Sequence, residues 1–382
     1  MNKFHMVDLH GQYHKIKEEV DTAVAGVLES CQFINGPEVK LFQQELEQYL
    51  GVKHVIPCGN GTDALQIAMM ALNFKPGDEV ITADFTYAAT AEVIGLLKLK
   101  PVLVDVYKDN FSINLNAIEA AITPKTVAIV PVHLFGQCVD MEGVMDIAKR
   151  HNLAVIEDVA QAIGAEYTFS DSTVMKAGTI GTIGCTSFFP SKNLGAYGDG
   201  GALFTNDDEL AKKIRMIGNH GQSVQYYHDE IGVNSRLDSI QAAILRVKLR
   251  HLNEYAVARQ KVAAYYDRTF KEYTSIITPE VSNYSTHVYH QYTLQILDVD
   301  RDELRKHLAA KGIPTMIYYP LPLHVQKAYL DPRYKDGDFP VTEQLCKTVL
   351  SLPIHTEMDE EQLDYIIHAV LEFVQPKILN TN

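Results

Sequence analysis

No stretch of this 382-residue sequence approaches the roughly 18 to 20 apolar residues that a membrane-spanning helix needs. The opening residues, Met1 to Asp8, carry charges where a secretion signal needs an apolar run, which points to a cytoplasmic protein. Cysteine is scarce. Cys31, Cys58, Cys138, Cys185 and Cys346 are odd in number and scattered, and no C-x-x-C pair suggests a disulfide framework, a redox centre or a zinc site. They read as reduced, mostly buried thiols. Basic residues are outnumbered, 34 Lys and Arg against 48 Asp and Glu. A formal charge of −14 argues against nucleic acid or an anionic membrane as partner, because both are held by clustered cations. An anionic small molecule needs only a local pocket of donors. Low-complexity tracts and blocks of like charge are missing, and the histidines show no metal-ligand spacing.

Apolar residues make up 46% and charged residues 21%, which is the usage of an ordinary globular protein. Single cores stop growing at about 250 to 300 residues, so the length predicts one large and one smaller domain. Apolar positions at Ile16, Val20, Ala23, Val24, Val27 and Leu28, then at Val39, Phe42, Leu46, Tyr49 and Leu50, predict two amphipathic helices punctuated by Asn35-Gly36-Pro37. From His54 onward, short apolar runs alternate with helical stretches. The runs at 55–56, 79–82, 101–105, 127–130 and 154–158 are apolar on consecutive positions, which suits parallel strands buried on both faces. A Gly-rich segment from Gly178 to Gly201 and a helical pattern from Leu237 to Leu249 follow. Beyond about Asn253, helices mix with short strands such as His290–Ile296. The expected organisation is an α/β domain over residues 1–252, including an N-terminal arm, and a small α+β domain over 253–382.

Three segments carry chemistry. Cys58-Gly59-Asn60-Gly61-Thr62-Asp63-Ala64 lies between a strand and a helix, where free N–H groups and the positive end of the helix dipole can hold a phosphate. The same string fits G-x-G-x-x-A with Glu79 about 20 residues on, so a dinucleotide site is a second reading. Glu79 begins its strand, whereas a ribose-binding acid should end it. A third reading is a tight turn with Asp63 as a first-turn acid. Asp158 ends the run 154–158, the end at which ligands gather in open α/β sheets, so it can serve a cofactor or cap a helix. In the third segment, Ser187 to Gly201, apolar residues precede Lys192 and glycines follow it. Most lysines are solvated surface charges, but a desolvated one has a lowered pKa and can form a Schiff base. Ser187 is close enough in sequence to share its site.

The run Ser187 to Gly201, together with Asn60-Gly61-Thr62-Asp63-Ala64-Leu65, Glu157-Asp158-Val159-Ala160-Gln161-Ala162 and Gly232-Val233-Asn234-Ser235-Arg236-Leu237-Asp238, resembles the DegT/StrS family of nucleotide-sugar aminotransferases. The likeness runs through nearly the whole chain and rests on four ordered motifs. It implies the fold-type I architecture of pyridoxal 5′-phosphate (PLP) enzymes, with a mostly parallel central sheet flanked by helices. By the family pattern, Lys192 would hold PLP, Asp158 would pair with its ring nitrogen, and Gln161 would bond the ring hydroxyl. Gly61, Thr62 and Ser187 would bind the phosphate, and Tyr87 would stack on the ring unless it is a core aromatic. Asn234 would reach the phosphate of the other subunit's cofactor, which makes a homodimer with shared sites.

Relatives with histidine in place of the lysine are dehydratases, so Lys192 implies transamination with L-glutamate and 2-oxoglutarate as the donor pair. Phe188 to Gly201 is similar to relatives acting at C3 of a keto-sugar. Ser191 and Tyr197 lean towards UDP-2-acetamido-3-keto-glucuronate, a precursor of bacterial surface polysaccharide. Other 3-keto or 4-keto nucleotide sugars are alternatives. Sugar contacts are expected from Tyr318 and Tyr319, although several C3 relatives read His-Tyr-Pro there, and from His324, which could instead be structural. Arg236 could take a diphosphate or carboxylate bidentately, or pair with an interface acid such as Asp238. The rival readings are a PLP-binding regulator without turnover and a nicotinamide-dependent sugar oxidoreductase.

Overall fold

The computed structural model describes residues 4–374, so Met1 to Lys3 of the charged N-terminal stretch lie outside it. Its central sheet contains β1 (His54–Cys58), β2 (Glu79–Ala83), β3 (Lys100–Val104), β4 (Thr126–Val130), β5 (Ala154–Asp158), β6 (Ile183–Ser187) and β7 (Gly201–Thr205). Their spatial order is β1-β7-β6-β5-β4-β2-β3. The pairs β2·β3, β2·β4, β4·β5 and β5·β6 are parallel, and β7 runs antiparallel to both β1 and β6. Successive side chains of a strand point to opposite faces. Ile81, Ile129 and Val155 accordingly enter one core cluster, while Val80, Ala128, Val130 and Ile156 enter another on the opposite face. Both faces are buried, which is why these runs are apolar without alternation.

β6 lies inside the Gly-rich segment and β7 begins at its last residue, and neither carried a strand expectation. Gly184 explains the difference for β6: a Cβ there would sit 2.7 Å from the Gly178 Cα, so this strand gives up an apolar side chain to let two backbone segments meet. The two early helices are Lys17–Ser30 and Pro37–Leu50, and both pack on the helix Ser239–Arg250. Helix Leu252–Phe270 follows directly. It joins a second core with the antiparallel sheet of β8 (Ile276–Ile277), β9 (Tyr292–Ile296) and β10 (Val349–Leu352) and the helices Arg301–Ala310 and Glu360–Phe373. The strand expected from His290 starts two residues later, which leaves His290 and Gln291 free of the ladder.

All five cysteines are free, and Cys31 is the exposed one. Among the described residues, no helix is long and apolar enough to cross a membrane, and no group of three His, Cys, Asp or Glu could hold a metal ion.

Candidate active site

The carboxyl ends of β1, β2, β5 and β6 open on one cavity of about 750 Å³, the place where an open α/β sheet collects its ligand. After β1, the helix Gly61–Ala71 begins with Asn60 as its N-cap, whose side chain accepts from the Asp63 N–H at 2.8 Å. The first bond of its ladder is Ala64 N–H to the Asn60 carbonyl at 3.1 Å, so the N–H groups of Gly61 and Thr62 precede the ladder. Gly61 lies against Ser187, the last residue of β6, and a Cβ on it would meet the Ser187 Cβ at 2.7 Å. Two strand ends therefore bring backbone donors, a hydroxyl and a helix N-terminus together, and all three residues line the cavity. Asp63 turns back instead, accepting from Ser235 Oγ at 2.6 Å, and Ser235 Oγ accepts from the Gly59 N–H at 2.9 Å. Glu79 stands at the start of β2, at the amino ends of the parallel strands and away from the cavity, and accepts from the Thr123 hydroxyl at 2.5 Å. That position removes the acid which the dinucleotide reading needs.

Asp158 closes β5, buried and lining the cavity. Its neighbours hold it on all sides. The Asp158 N–H donates to the Pro131 carbonyl at 2.9 Å, its own carbonyl accepts from the His133 N–H at 3.0 Å, and its carboxylate accepts from Thr90 Oγ1 at 2.8 Å and the Ala160 N–H at 3.1 Å. Turns follow Asp158 rather than a helix, so the helix-cap reading fails: the Ala160 bond closes a local turn. Burial pushes the carboxyl above its ordinary range, against the Ala160 and Thr90 bonds and the charges of Lys192 and His133. The adjacent Glu157 points to the other face and is saturated, accepting from His133 Nε2 at 2.9 Å and from the N–H groups of Gly178, Ile180 and Gly181 at 2.8, 2.8 and 2.5 Å.

Lys192 follows the β6 end in a turn closed by its own N–H to the Phe189 carbonyl at 2.8 Å. Its side chain is half-buried and lines the cavity. Burial pulls the amine down to about 8, with the Asp158 charge pulling the other way. A neutral amine is thus accessible near neutral pH, which a solvated lysine does not offer.

The walls are aromatic. Tyr87 is 61% exposed and faces Tyr319 with ring centres 6.4 Å apart, and Tyr318 lines the same side. Gln161 accepts from the Phe135 N–H at 2.7 Å and donates through Nε2 to Tyr319 Oη at 3.2 Å. His290 and Gln291 complete this wall, and burial, then Lys192 and Arg259, keep the His290 ring well below its ordinary pKa.

Three expected residues stand elsewhere. His324 is buried away from the cavity with its ring on Asp84, so its surroundings are those of a structural histidine. Asn234 and Arg236 are exposed, while Ser235, Leu237 and Ser239 between and after them are buried, the alternation of an extended segment. Four contributors carried no expectation: Asn60 as cap, Thr90, Ser235 and His290. Asn60 had a local signal, a capping residue ahead of an acid in the first turn. The other three meet the site only through contacts distant in sequence.

The cavity fits a phosphate-bearing pyridine aldehyde. It offers N–H donors with a hydroxyl for a phosphate, a buried carboxylate for a ring nitrogen and a desolvated amine for a carbonyl. The buried Thr86 Oγ1 and His290 Nδ1 line it with no partner among the described residues. Fold and site together define a class, the PLP-dependent aminotransferases of fold-type I. Within that class the chain belongs to the DegT/DnrJ/EryC1/StrS aminotransferase family, whose model matches residues 14–371.

The chain is 48% identical to a "Pleiotropic regulatory protein" of Geobacillus stearothermophilus, over 96% of this chain and 98% of that one. It is 47% identical to the UDP-2-acetamido-2-deoxy-3-oxo-D-glucuronate aminotransferase of Pseudomonas aeruginosa, over 95% and 98%. A crystal structure of NtdA from Bacillus subtilis with bound cofactor PMP superposes with a TM-score of 0.86 at 32% identity, covering 94% of this chain and 82% of that one. PLP is the cofactor of this chain, and the nicotinamide reading is overturned by the family match.

Proposed function

We propose that this protein transfers the amino group of L-glutamate to C3 of a nucleotide-linked 3-keto-hexose, with UDP-2-acetamido-2-deoxy-3-keto-glucuronate as substrate, in the cytoplasmic synthesis of bacterial surface polysaccharide. The observation that carries the reading is the 47% identity, over nearly the full length of both chains, to the P. aeruginosa aminotransferase of that keto-uronate. When bound, PLP supplies an electron sink for bonds at the amino-bearing carbon. The protein's own residues do the rest. Gly61, Thr62 and Ser187 hold the phosphate, Gln161 the ring hydroxyl, and Asp158 keeps the ring nitrogen protonated. Lys192, released as a neutral amine, takes the proton from the α-carbon of glutamate and returns one to C3 of the sugar. Tyr87 stacks on the cofactor ring, and Tyr318 and Tyr319 contact the sugar across from it. The same reading treats residues 1–252 as the cofactor-holding domain and 253–382 as its smaller companion.

The substrate reading is tested in reverse, with 2-oxoglutarate as acceptor and glutamate formation as readout. The 3-amino-glucuronate nucleotide is expected to turn over fastest. Turnover of 4-amino sugars alone would refute amination at C3, and preference for a 3-amino sugar without the carboxylate would keep C3 and remove the uronate. No glutamate from any of them, with the cofactor bound, would favour a regulator of the kind that the Geobacillus relative's name describes.

The active unit in this reading is a homodimer. Its support is the outward set of Asn234 and Arg236 beside the buried Ser235, which ties their segment to the phosphate turn through Asp63. In it, Asn234 serves the partner's phosphate site and Arg236 an oxyanion of the substrate. Mixing a Lys192→Ala protein with an Asn234→Ala protein is expected to restore one working site per heterodimer, about a quarter of wild-type activity for random exchange between sites that act independently. Recovery of nothing after verified subunit exchange would exclude the shared site.

A further inference from the structure

The buried pair Asp84 and His324 has no part in the mechanism above, yet it joins the two segments that carry the aromatic walls. Asp84 follows β2 and leads into Phe85-Thr86-Tyr87, while His324 follows Tyr318-Tyr319 by a short loop; the two are 240 residues apart in sequence. Asp84 holds three groups of the second segment. Its carboxylate accepts from the His324 N–H through Oδ1 at 2.8 Å and from His324 Nδ1 through Oδ2 at 2.7 Å, and its carbonyl accepts from the Leu323 N–H at 3.3 Å. The Asp84 N–H in turn donates to the Val104 carbonyl at 2.9 Å, which anchors the clasp on the sheet. Both side chains are buried, the His324 ring packs against Phe339 at 4.7 Å, and its Nε2 has no hydrogen-bond partner, the nearest acid being Glu343 at 3.7 Å. An apolar pair would fill this space without an unpaired polar atom, so the clasp is a poor device for stability alone.

We propose that the Asp84–His324 clasp is a positioning device that sets the gap between Tyr87 and Tyr319, and with it the seat of the cofactor ring and the keto-sugar. The two loops also touch through the rings of Phe85 and Tyr87 against Tyr319, and to these non-directional contacts the clasp adds bonds of fixed length and direction that lock their register. Displacement of such a wall by about 1 Å can cost on the order of a hundredfold in rate. The inference rests on the reading of the cavity as the transamination site.

Two substitutions of similar size separate positioning from packing. The amide N–H of asparagine replaces the Nδ1–H of histidine, whereas that of glutamine replaces the Nε2 side. His324→Asn is expected to keep kcat/KM within about threefold of wild type, and His324→Gln to lower it roughly 30-fold, with KM for the sugar raised and the cofactor more easily lost. Equal losses in both variants, or a lowered melting temperature with kcat and KM unchanged, would overturn the proposal. A second measurement needs neither variant nor cofactor: in wild-type protein stripped of PLP, backbone amides of residues 84–90 and 318–325 are expected to exchange hydrogen as one unit. Independent exchange of the two segments refutes the clasp whatever the sugar turns out to be. Joint exchange with no transamination refutes the proposed function and leaves the clasp standing.

Discussion

Lys192→Ala is expected to abolish amino transfer while leaving the fold intact, with a loss of roughly 10³ to 10⁴ or more because one side chain is both the attachment point and the proton carrier. The fold should survive because Lys192 lines the cavity and its turn is closed by a backbone bond that alanine keeps. The pH dependence has a definite sign. Burial lowers the amine to about 8 from 10.5, so the protonated form is disfavoured in the folded protein and that penalty is fully present below pH 8. Above it the unfolded chain binds a proton that the folded chain does not, and stability rises until the unfolded value is passed. Cofactor-free wild type should therefore gain stability relative to the alanine variant as pH rises through this window, and thermal melts at several pH values measure it. A folded alanine variant that transaminates at near wild-type rate would remove Lys192 from the chemistry.

Asp158→Ala should slow the glutamate half-reaction by about 10² to 10³, the range for losing one preorganised electrostatic partner. Asp158→Glu should also be poor. The carboxylate is placed by Thr90 Oγ1 and the Ala160 N–H in a buried site, and one extra methylene moves it off both. The alanine variant also leaves those two groups without their acceptor, which costs about 1 to 3 kcal/mol of stability for a buried unpaired group. Single-turnover kinetics at a temperature where the variant is folded separates the two effects. A melting temperature that falls while the half-reaction rate holds would make Asp158 a turn anchor and nothing more.

The chemistry was legible wherever it lies in a short segment. Strand runs, the glycine turn at 59–62, the acid closing a strand and the lysine between apolar and glycine flanks are all local patterns. Backbone periodicity and helix-end chemistry act over a few residues, so the sequence carries them openly. β6 escaped because close backbone approach between Gly178 and Gly184 favours small residues over the apolar run that marks a buried strand, and β7 opens on Gly201, which is pressed against the Asn60 backbone at the end of the Gly-rich run. His324 could be read as a sugar contact or as a structural residue, and no local pattern could choose, since its partner Asp84 is 240 residues away.

The same distance in sequence separates every remaining contributor from its task. Thr90 reaches Asp158 across 68 residues, Ser235 reaches Asp63 across 172, and Gln161 reaches Tyr319 across 158. Composition, element order and the identity of the reactive groups were thus written along the chain. The neighbours that desolvate Lys192, hold the Asp158 carboxylate and bring the aromatic walls together came from the fold, because burial and hydrogen-bond geometry depend on which distant segments pack side by side.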